Sequence, residues 1–486
     1  HLIKLSRSNA MRDMTQFYIN GEWIDPVTPN LMNVYNPATD EVCGKISMGG
    51  AADVDKAVIA ANKAFASFSL TSKEERLELL QSILKILVRR NEEIAHAIME
   101  EMGAPWDLAL NAQAESGPQQ FAAIIEVLKN YAFEEMVGTT CVVKEPIGTC
   151  ALITPWNWPI SQIALKVAPA IAAGCSMILK PSEIAPFNAM LFAEVLHEAG
   201  LPKGVFNLIN GDGPSVGVAL SGHPGIAMIS FTGSTKAGIS VAQNAAPSVK
   251  RVTQELGGKS ANIILSDADF SKAVAGGARS CFSNSGQSCN APTRMLVPIE
   301  KLDEAAEIAG KVAQTTITGK PNDDDTIIGP VVSKTQWLKI QDLIKVGIDE
   351  GANLIAGGLG KPNPSSAGYF VKPTVFSNVN NSMRIAREEI FGPVLSIIPY
   401  NSEEDAIAIA NDTPYGLAGF VSSGNIKHAR EVASKMRTGM VHINGAPLDS
   451  MAPFGGYKQS GNGREWGEYG MDEFLEIKSM YGFEPK

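Results

Sequence analysis

Gly148-Thr149-Cys150-Ala151-Leu152-Ile153-Thr154 and, after an intervening apolar stretch, Ser176-Met177-Ile178-Leu179-Lys180 are the two segments from which the fold can be read. Each is a short apolar run of the kind that forms a buried strand. Residues 163–173 between them and 188–199 after them carry helical periodicity, and apolar runs at 205–209, 228–231 and 260–265 continue the series. Strands alternating with helices predict a parallel, doubly wound α/β sheet with ligands at the carboxyl ends of its strands.

A second alternating series lies downstream: apolar runs at 295–297, 394–400 and 440–443, with helical patterns opening at Lys301, Lys334 and Asp405. This predicts a second α/β domain. Upstream, Phe17-Tyr18-Ile19-Asn20-Gly21-Glu22-Trp23 reads as a hairpin around a two-residue Asn-Gly turn. Residues 51–66 and 72–102 have helical periodicity, and Ser72 with Glu75 forms a capping box. Residues 131–145 and the strand-like tail 474–481 belong to neither series, and as strands they would be exposed edges wanting a partner.

The 486 residues are enough for two or three domains with full cores. With 41 basic against 51 acidic residues, the formal charge is −10, which disfavours general nucleic-acid binding. The six cysteines (43, 141, 150, 175, 281, 289) form no Cys-x-x-Cys pair, and the six histidines show no His-x-x-x-His spacing. No metal site is expected, and the thiols read as reduced, which predicts a cytoplasmic location. No stretch reaches the roughly eighteen uninterrupted apolar residues of a membrane span. Residues 1–10 begin with His rather than Met and lack an apolar core, so they are expected to be an expression remnant before Met11 or Met14.

Three segments make chemical sense together. Cys289 stands among small and polar neighbours in Gly286-Gln287-Ser288-Cys289-Asn290, with Thr293-Arg294 beyond. A thiolate attacks carbonyl carbon well, whereas Cys281, beside Phe282, reads as a small buried hydrophobe. Glu255, in Gln254-Glu255-Leu256-Gly257-Gly258, offers a carboxylate on a flexible glycine turn that can activate a thiol or a water. Asn157, in Thr154-Pro155-Trp156-Asn157-Trp158-Pro159, offers an amide that could hold an oxyanion, or cap a helix. A cysteine protease would need a histidine partner, and none of the histidines has an equally distinctive setting.

Taken with Phe231-Thr232-Gly233-Ser234-Thr235-Lys236-Ala237-Gly238, Glu388-Glu389-Ile390-Phe391-Gly392-Pro393 and Pro453-Phe454-Gly455-Gly456, these segments resemble the aldehyde dehydrogenase superfamily from about residue 17 to 478. The resemblance implies two doubly wound domains, a Rossmann-like NAD-binding domain (14–127 with 148–256) and a catalytic domain (257–465). It also implies a small oligomerisation sheet from 128–147 and 466–486, hence a homodimer or homotetramer. Cys289 would be the nucleophile, Asn157 with the Cys289 N–H the oxyanion hole, and Glu255 the base that releases the thioester with water. Lys166 and Glu465 match positions assigned to proton relay in some members; surface ion pairing accounts for them equally well.

The same likeness assigns the cofactor contacts to Trp156, Lys180, Glu183, Gly213, Phe231, Gly233, Ser234, Gln336, Lys339, Glu389 and Phe391. In the loop after Phe231 the glycines and Ser234 would present donors to a phosphate at a helix N-terminus. Its Gly-x-x-x-x-Gly spacing departs from the usual dinucleotide fingerprint, as it does in the family. A carboxylate at Glu183 would accept from both ribose hydroxyls and repel a 2′-phosphate, which favours NAD, with NADP weaker. Trp337, between Gln336 and Lys339, could equally be core. The substrate tunnel would be lined by Trp158, Ser161, Gln162, Leu165, Ser288, Asn290 and Phe454.

The expected activity is NAD-dependent oxidation of an aldehyde to a carboxylic acid. A CoA-acylating semialdehyde dehydrogenase is the nearest alternative, and such relatives generally lack a glutamate at the Glu255 position. A non-catalytic, crystallin-like binding protein is another, against which intact Cys289, Glu255 and Asn157 count. Leu165 stands where succinate semialdehyde enzymes usually place an arginine, and Trp158 with Phe454 falls short of the aromatic cage that a quaternary ammonium aldehyde needs.

Overall fold

The computed structural model describes residues 11–484; the expected remnant at 1–10 lies outside them. Two large sheets dominate. The first has eight strands in the order 461–462, Arg251–Glu255, Met228–Thr232, Thr149–Ile153, Ser176–Lys180, Phe206–Leu208, Phe17–Ile19 and Glu22–Ile24. Its five central strands run parallel, and antiparallel strands close both edges. Alternate residues of Thr149–Ile153 enter different cores: Cys150 and Leu152 pack with the helices of one face, Ala151 and Ile153 with those of the other. Both faces are covered, which is why the run reads as continuously apolar.

The second sheet has seven strands in the order Asn353–Ala356, Thr374–Ser377, Val394–Tyr400, Arg294–Pro298, Ala261–Ile264, Ala418–Ser422 and Met440–Ile443, parallel but for the first. It too is buried on both faces, with Ile263 and Leu296 in one core and Ile264 and Met295 in the other. A three-stranded antiparallel sheet joins Leu475–Met480, Thr140–Pro146 and Glu134–Val137, so the two segments that belong to neither series find each other. A further small sheet holds Arg12–Met14, Glu41–Ser47 and Leu31–Asn36.

Local signals act as their chemistry demands. Asn20 and Gly21 turn the hairpin with φ of 55° and 75°, the left-handed pair that a tight two-residue turn requires. Ser72 Oγ accepts from the Glu75 N–H at 3.1 Å while the Ser72 N–H donates to Glu75 Oε2 at 2.6 Å, so two donors at the helix start are satisfied reciprocally.

Four expectations are corrected. The periodic stretch 72–102 is two helices, Lys73–Arg89 and Asn91–Met102, broken at Arg90, whose guanidinium turns aside to Glu93 and Glu194. The run at 260–265 belongs to the second sheet, not the first. Glu255 is the last residue of a strand rather than part of a flexible turn. The helix expected from 163 starts at Pro159, whose fixed φ suits a first helical position.

Candidate active site

Cys289 follows a turn in which Asn284, Ser285 and Gly286 take φ of 53°, 57° and 73°. Left-handed backbone is unfavourable for residues with a Cβ, and surrounding bonds must hold it. Ser285 Oγ donates to the Gly329 carbonyl at 2.7 Å, Gln287 Nε2 to the Asn284 carbonyl at 3.0 Å, and Gln287 Oε1 accepts from the Val332 N–H at 2.9 Å. A Cβ on Gly286 would stand 1.9 Å from the Gly392 carbonyl oxygen, so this loop packs directly on the segment carrying Glu389 and Phe391. Burial, then the carboxylates of Glu255, Glu389 and Glu465, push the half-buried Cys289 thiol far up, and its own N–H pulls the other way. The resting group is a thiol whose proton must be removed before it attacks.

Asn157 is buried and caps nothing; the helix begins after Trp158. One amide hydrogen of its Nδ2 goes to the Gln287 carbonyl at 3.1 Å, leaving the other for a ligand. Its backbone carbonyl accepts from Asn284 Nδ2 at 3.0 Å and Gln113 Nε2 at 3.3 Å. The amide is therefore tied to the cysteine loop from two sides.

Glu255 is 4% exposed, and neither carboxylate oxygen has a hydrogen-bond partner among the described residues. Burial, and then the charge of Glu465, hold its pKa well above the carboxylate range against the pull of Lys166 and Arg464. Such a group is protonated at rest and a strong base once ionised. Lys166 and Glu465 are not a surface pair: their side chains are 1% and 9% exposed, they bond to each other, and Lys166 Nζ also donates to Ser230 Oγ at 3.0 Å.

Of the expected cofactor residues, Trp156, Lys180, Glu183, Gly213, Phe231, Gly233 and Ser234 lie at or beyond the carboxyl ends of parallel strands of the first sheet. Lys180 Nζ donates to the carbonyls of Gly211 and Pro181 at 2.6 and 3.0 Å and lies 3.5 Å from Glu183 Oε2. It anchors the partly exposed Glu183 rather than standing free for a phosphate. Gly213 is exposed beside Asp212, whose carboxylate accepts from the Ser215 N–H at 2.8 Å. Phe231 ends in the strand Met228–Thr232, and Ser234 caps the helix Thr235–Ala245, its Oγ accepting from the Ala237 N–H at 3.2 Å.

The expectation that both glycines donate to a phosphate is corrected here. The Gly233 N–H goes to the Glu255 carbonyl at 3.0 Å and that of Gly238 to the Ser234 carbonyl at 2.9 Å. What remains is the first helical turn and the Ser234 hydroxyl, whose proton is still free to donate.

Glu389 Oε1 accepts from the Gly258 N–H at 3.1 Å. Burial raises Glu389, with Lys339 and Lys259 opposing, which places Lys339 within electrostatic reach. Phe391, at φ 60°, meets Trp156 edge-on with ring centroids 5.5 Å apart. Trp337 packs against the second core and donates to the Phe370 carbonyl. Gln336 is half-buried, and no side-chain hydrogen bond ties it to the other site residues among those described.

On the substrate side, Ser161, Gln162, Leu165 and Lys166 share one buried helix. Trp158 Nε1 donates to Ser288 Oγ at 2.9 Å, tying the start of that helix to the cysteine loop. Asn290 is half-buried next to Cys289, and Phe454 stacks on Trp466 with centroids 5.2 Å apart. Sequence reasoning missed Gln113 and Asn284, whose side chains bond each other at 2.9 Å behind Asn157. It also missed Lys259, which is 1% exposed with no partner at Nζ among the described residues. An amide within a helix, or a lysine after two glycines, carries no signal of this kind.

Comparison with known proteins places this geometry in context. The profile of the Aldehyde dehydrogenase family matches residues 23–480. The chain is 58% identical to a 3-succinoylsemialdehyde-pyridine dehydrogenase from Pseudomonas sp. over 475 residues, 98% of this chain and 100% of that protein. Among solved structures, a mutant of aldehyde dehydrogenase C from Pseudomonas syringae, complexed with NAD+ and octanal, is 51% identical with a TM-score of 0.97, covering 99% of this chain and 100% of its own. Betaine aldehyde dehydrogenase from Staphylococcus aureus, complexed with NAD+ and carrying a modified cysteine, is 37% identical with a TM-score of 0.94, covering 97% of both chains.

Proposed function

Because the chain belongs to the aldehyde dehydrogenase family, we propose that it oxidises an uncharged aldehyde to the carboxylic acid with NAD, using Cys289, Asn157 and Glu255. The observation that carries this reading is the convergence of the three on one loop: Asn157 bonded to Gln287, and the segment after Glu255 packed so closely that a Cβ on Gly258 would stand 2.6 Å from the Cys289 carbonyl oxygen. Once the thiol proton has passed to solvent water, the Cys289 sulfur adds to the aldehyde carbon, and the remaining Asn157 amide hydrogen meets the oxygen that becomes negative. Once the adduct is oxidised to a thioester, Glu255 takes a proton from water, which attacks the acyl carbon and frees the sulfur. Lys166 and Glu465 set the potential at Glu255 and give its proton a buried exit.

The residues present fit NAD. Thr154 and Thr232, at the carboxyl ends of two parallel strands, each keep a buried hydroxyl without a partner among the described residues, and Glu183 and Glu389 offer carboxylates to ribose hydroxyls. Bound there, NAD supplies the electron acceptor for the oxidation. Residues 14–127 with 148–256 form the cofactor domain in this reading, and 257–465 the catalytic one. Leu165, Trp158 and the Phe454–Trp466 stack make the approach apolar, which favours an aliphatic or aromatic aldehyde. We also propose a cytoplasmic homo-oligomer built through the three-stranded sheet; among the described residues no helix is long and apolar enough to cross a membrane. Incubation with NAD and a panel of aldehydes, without CoA, tests the assignment: NADH appears with uncharged aldehydes. The Cys289→Ala variant loses turnover but still binds NAD. NADH formation only on adding CoA would favour the acylating alternative.

A further inference from the structure

Five hydrogen bonds around Asn157 close on themselves. Asn157 Nδ2 donates to the Gln287 carbonyl at 3.1 Å, and Asn284 Nδ2 donates to that same carbonyl at 3.2 Å. Asn284 Nδ2 also donates to the Asn157 carbonyl at 3.0 Å, where Gln113 Nε2 joins it at 3.3 Å. Gln113 Nε2 then donates to Asn284 Oδ1 at 2.9 Å, which completes the ring. Backbone carbonyls can only accept, and this fixes the nitrogen end of Asn284 and, in turn, that of Gln113. All three side chains are buried, Gln113 completely, so a bond lost there is not made good by bulk water.

Two backbone features bring these amides together. Gln113 lies in a wide π turn, Ala109–Ala114, a rare form of helix that concentrates at functional sites. Asn284 sits at φ 53°, a region that Asn enters more readily than most residues but in which something must hold it. What the ring fixes is direction. The two hydrogens of Asn157 Nδ2 lie in the amide plane at a set angle, so with one held on the Gln287 carbonyl the other can point only one way. Gln287 stands in the same turn as Cys289, which ties that direction to the nucleophile. We propose that Gln113 and Asn284 are positioning residues that aim the free Asn157 amide hydrogen at the oxygen of the Cys289 adduct. They act through that amide, so their effect on rate vanishes when it is removed. The inference rests on the aldehyde dehydrogenase reading above, which supplies the oxyanion.

The test is a double-mutant cycle on the whole chain. Removing an oxyanion donor outright, as in Asn157→Ala, costs about 10²–10³ in rate. Misaiming one costs less, so Gln113→Leu should lower kcat/KM for the best aldehyde of the panel about tenfold to hundredfold, with the Kd of NAD from titration unchanged. In the Asn157→Ala background the same substitution should cost less than about twofold. Asn284→Gly, which keeps the left-handed turn without a Cβ, should behave alike and replaces Gln113→Leu if that variant does not fold. An equal loss in both backgrounds, or no loss in the single variants, overturns the proposal. Crystal structures separate this inference from the reading it rests on. In either single variant Asn157 Nδ2 should turn away from the Gln287 carbonyl, and a side chain still bonded there also overturns the proposal. If Asn157 is displaced in the variants while the unmodified protein yields no NADH from any aldehyde, the dehydrogenase reading falls and the positioning of Asn157 stands.

Discussion

Glu255 and Cys289 are both held in their protonated forms at rest, the first by burial and Glu465, the second by burial and three carboxylates. A reaction that needs each of them deprotonated must speed up as pH rises through neutrality into the alkaline range. Replacing Glu465 with Gln removes a negative charge and frees that of Lys166, and both changes favour ionised Glu255. The rising limb of the kcat profile should therefore move to lower pH, and a shift to higher pH would remove Glu465 from the electrostatics of the base. Glu255→Gln should leave a burst of NADH without steady turnover; uniform slowing with no burst would mean that Glu255 serves the thiol instead. Glu183, clamped by Lys180, should prefer NAD over NADP by about tenfold, since one charge-assisted hydrogen bond is worth about 1.5–3 kcal/mol. Glu183→Ala should narrow that gap, chiefly by weakening NAD, as separate kcat/KM measurements will report. The reacting residues were legible because their segments resemble a family's. The residues that hold them were not, since Gln113 acts across 171 positions on Asn284 and a contact of that range leaves no local pattern.

At the scale of elements, the turn before Cys289 is the most exacting piece. A methyl group at Gly286 meets the Gly392 carbonyl and also needs an unfavourable φ. Gly286→Ala should abolish turnover and lower the urea midpoint of unfolding, because either this loop or the Glu389 segment must move. Near-normal kcat in that variant would show that the close approach is dispensable. The parallel strand Ser176–Lys180 was readable because both of its faces are buried and burial forces a continuous apolar run. Arg251–Glu255 escaped notice: with Arg251 and Val252 half-buried and four of its five residues polar, it imitates a loop. Ala418–Ser422 was hidden in the same way by its small residues.

At the scale of the whole molecule, the three-stranded sheet leaves apolar side chains exposed. Val137, Ile477 and Tyr481 are 58%, 69% and 85% exposed on its strands or just beyond them. Exposed apolar residues along open strand edges mark a surface that another chain covers. If the proposed homo-oligomer forms through this sheet, Ile477→Asp should shift sedimentation towards a smaller species, and an unchanged profile would overturn that proposal. The return of the chain at 461–462 to pair with Glu255 and Gln254 has a consequence for heredity. A recombination event that exchanged only the first 256 residues with a homologue would divide Glu255 from Gly461 and Lys166 from Glu465, placing each partner under a different ancestry. Functional chimaeras should therefore need two crossovers, so that the last 26 residues travel with the beginning of the gene rather than with its middle.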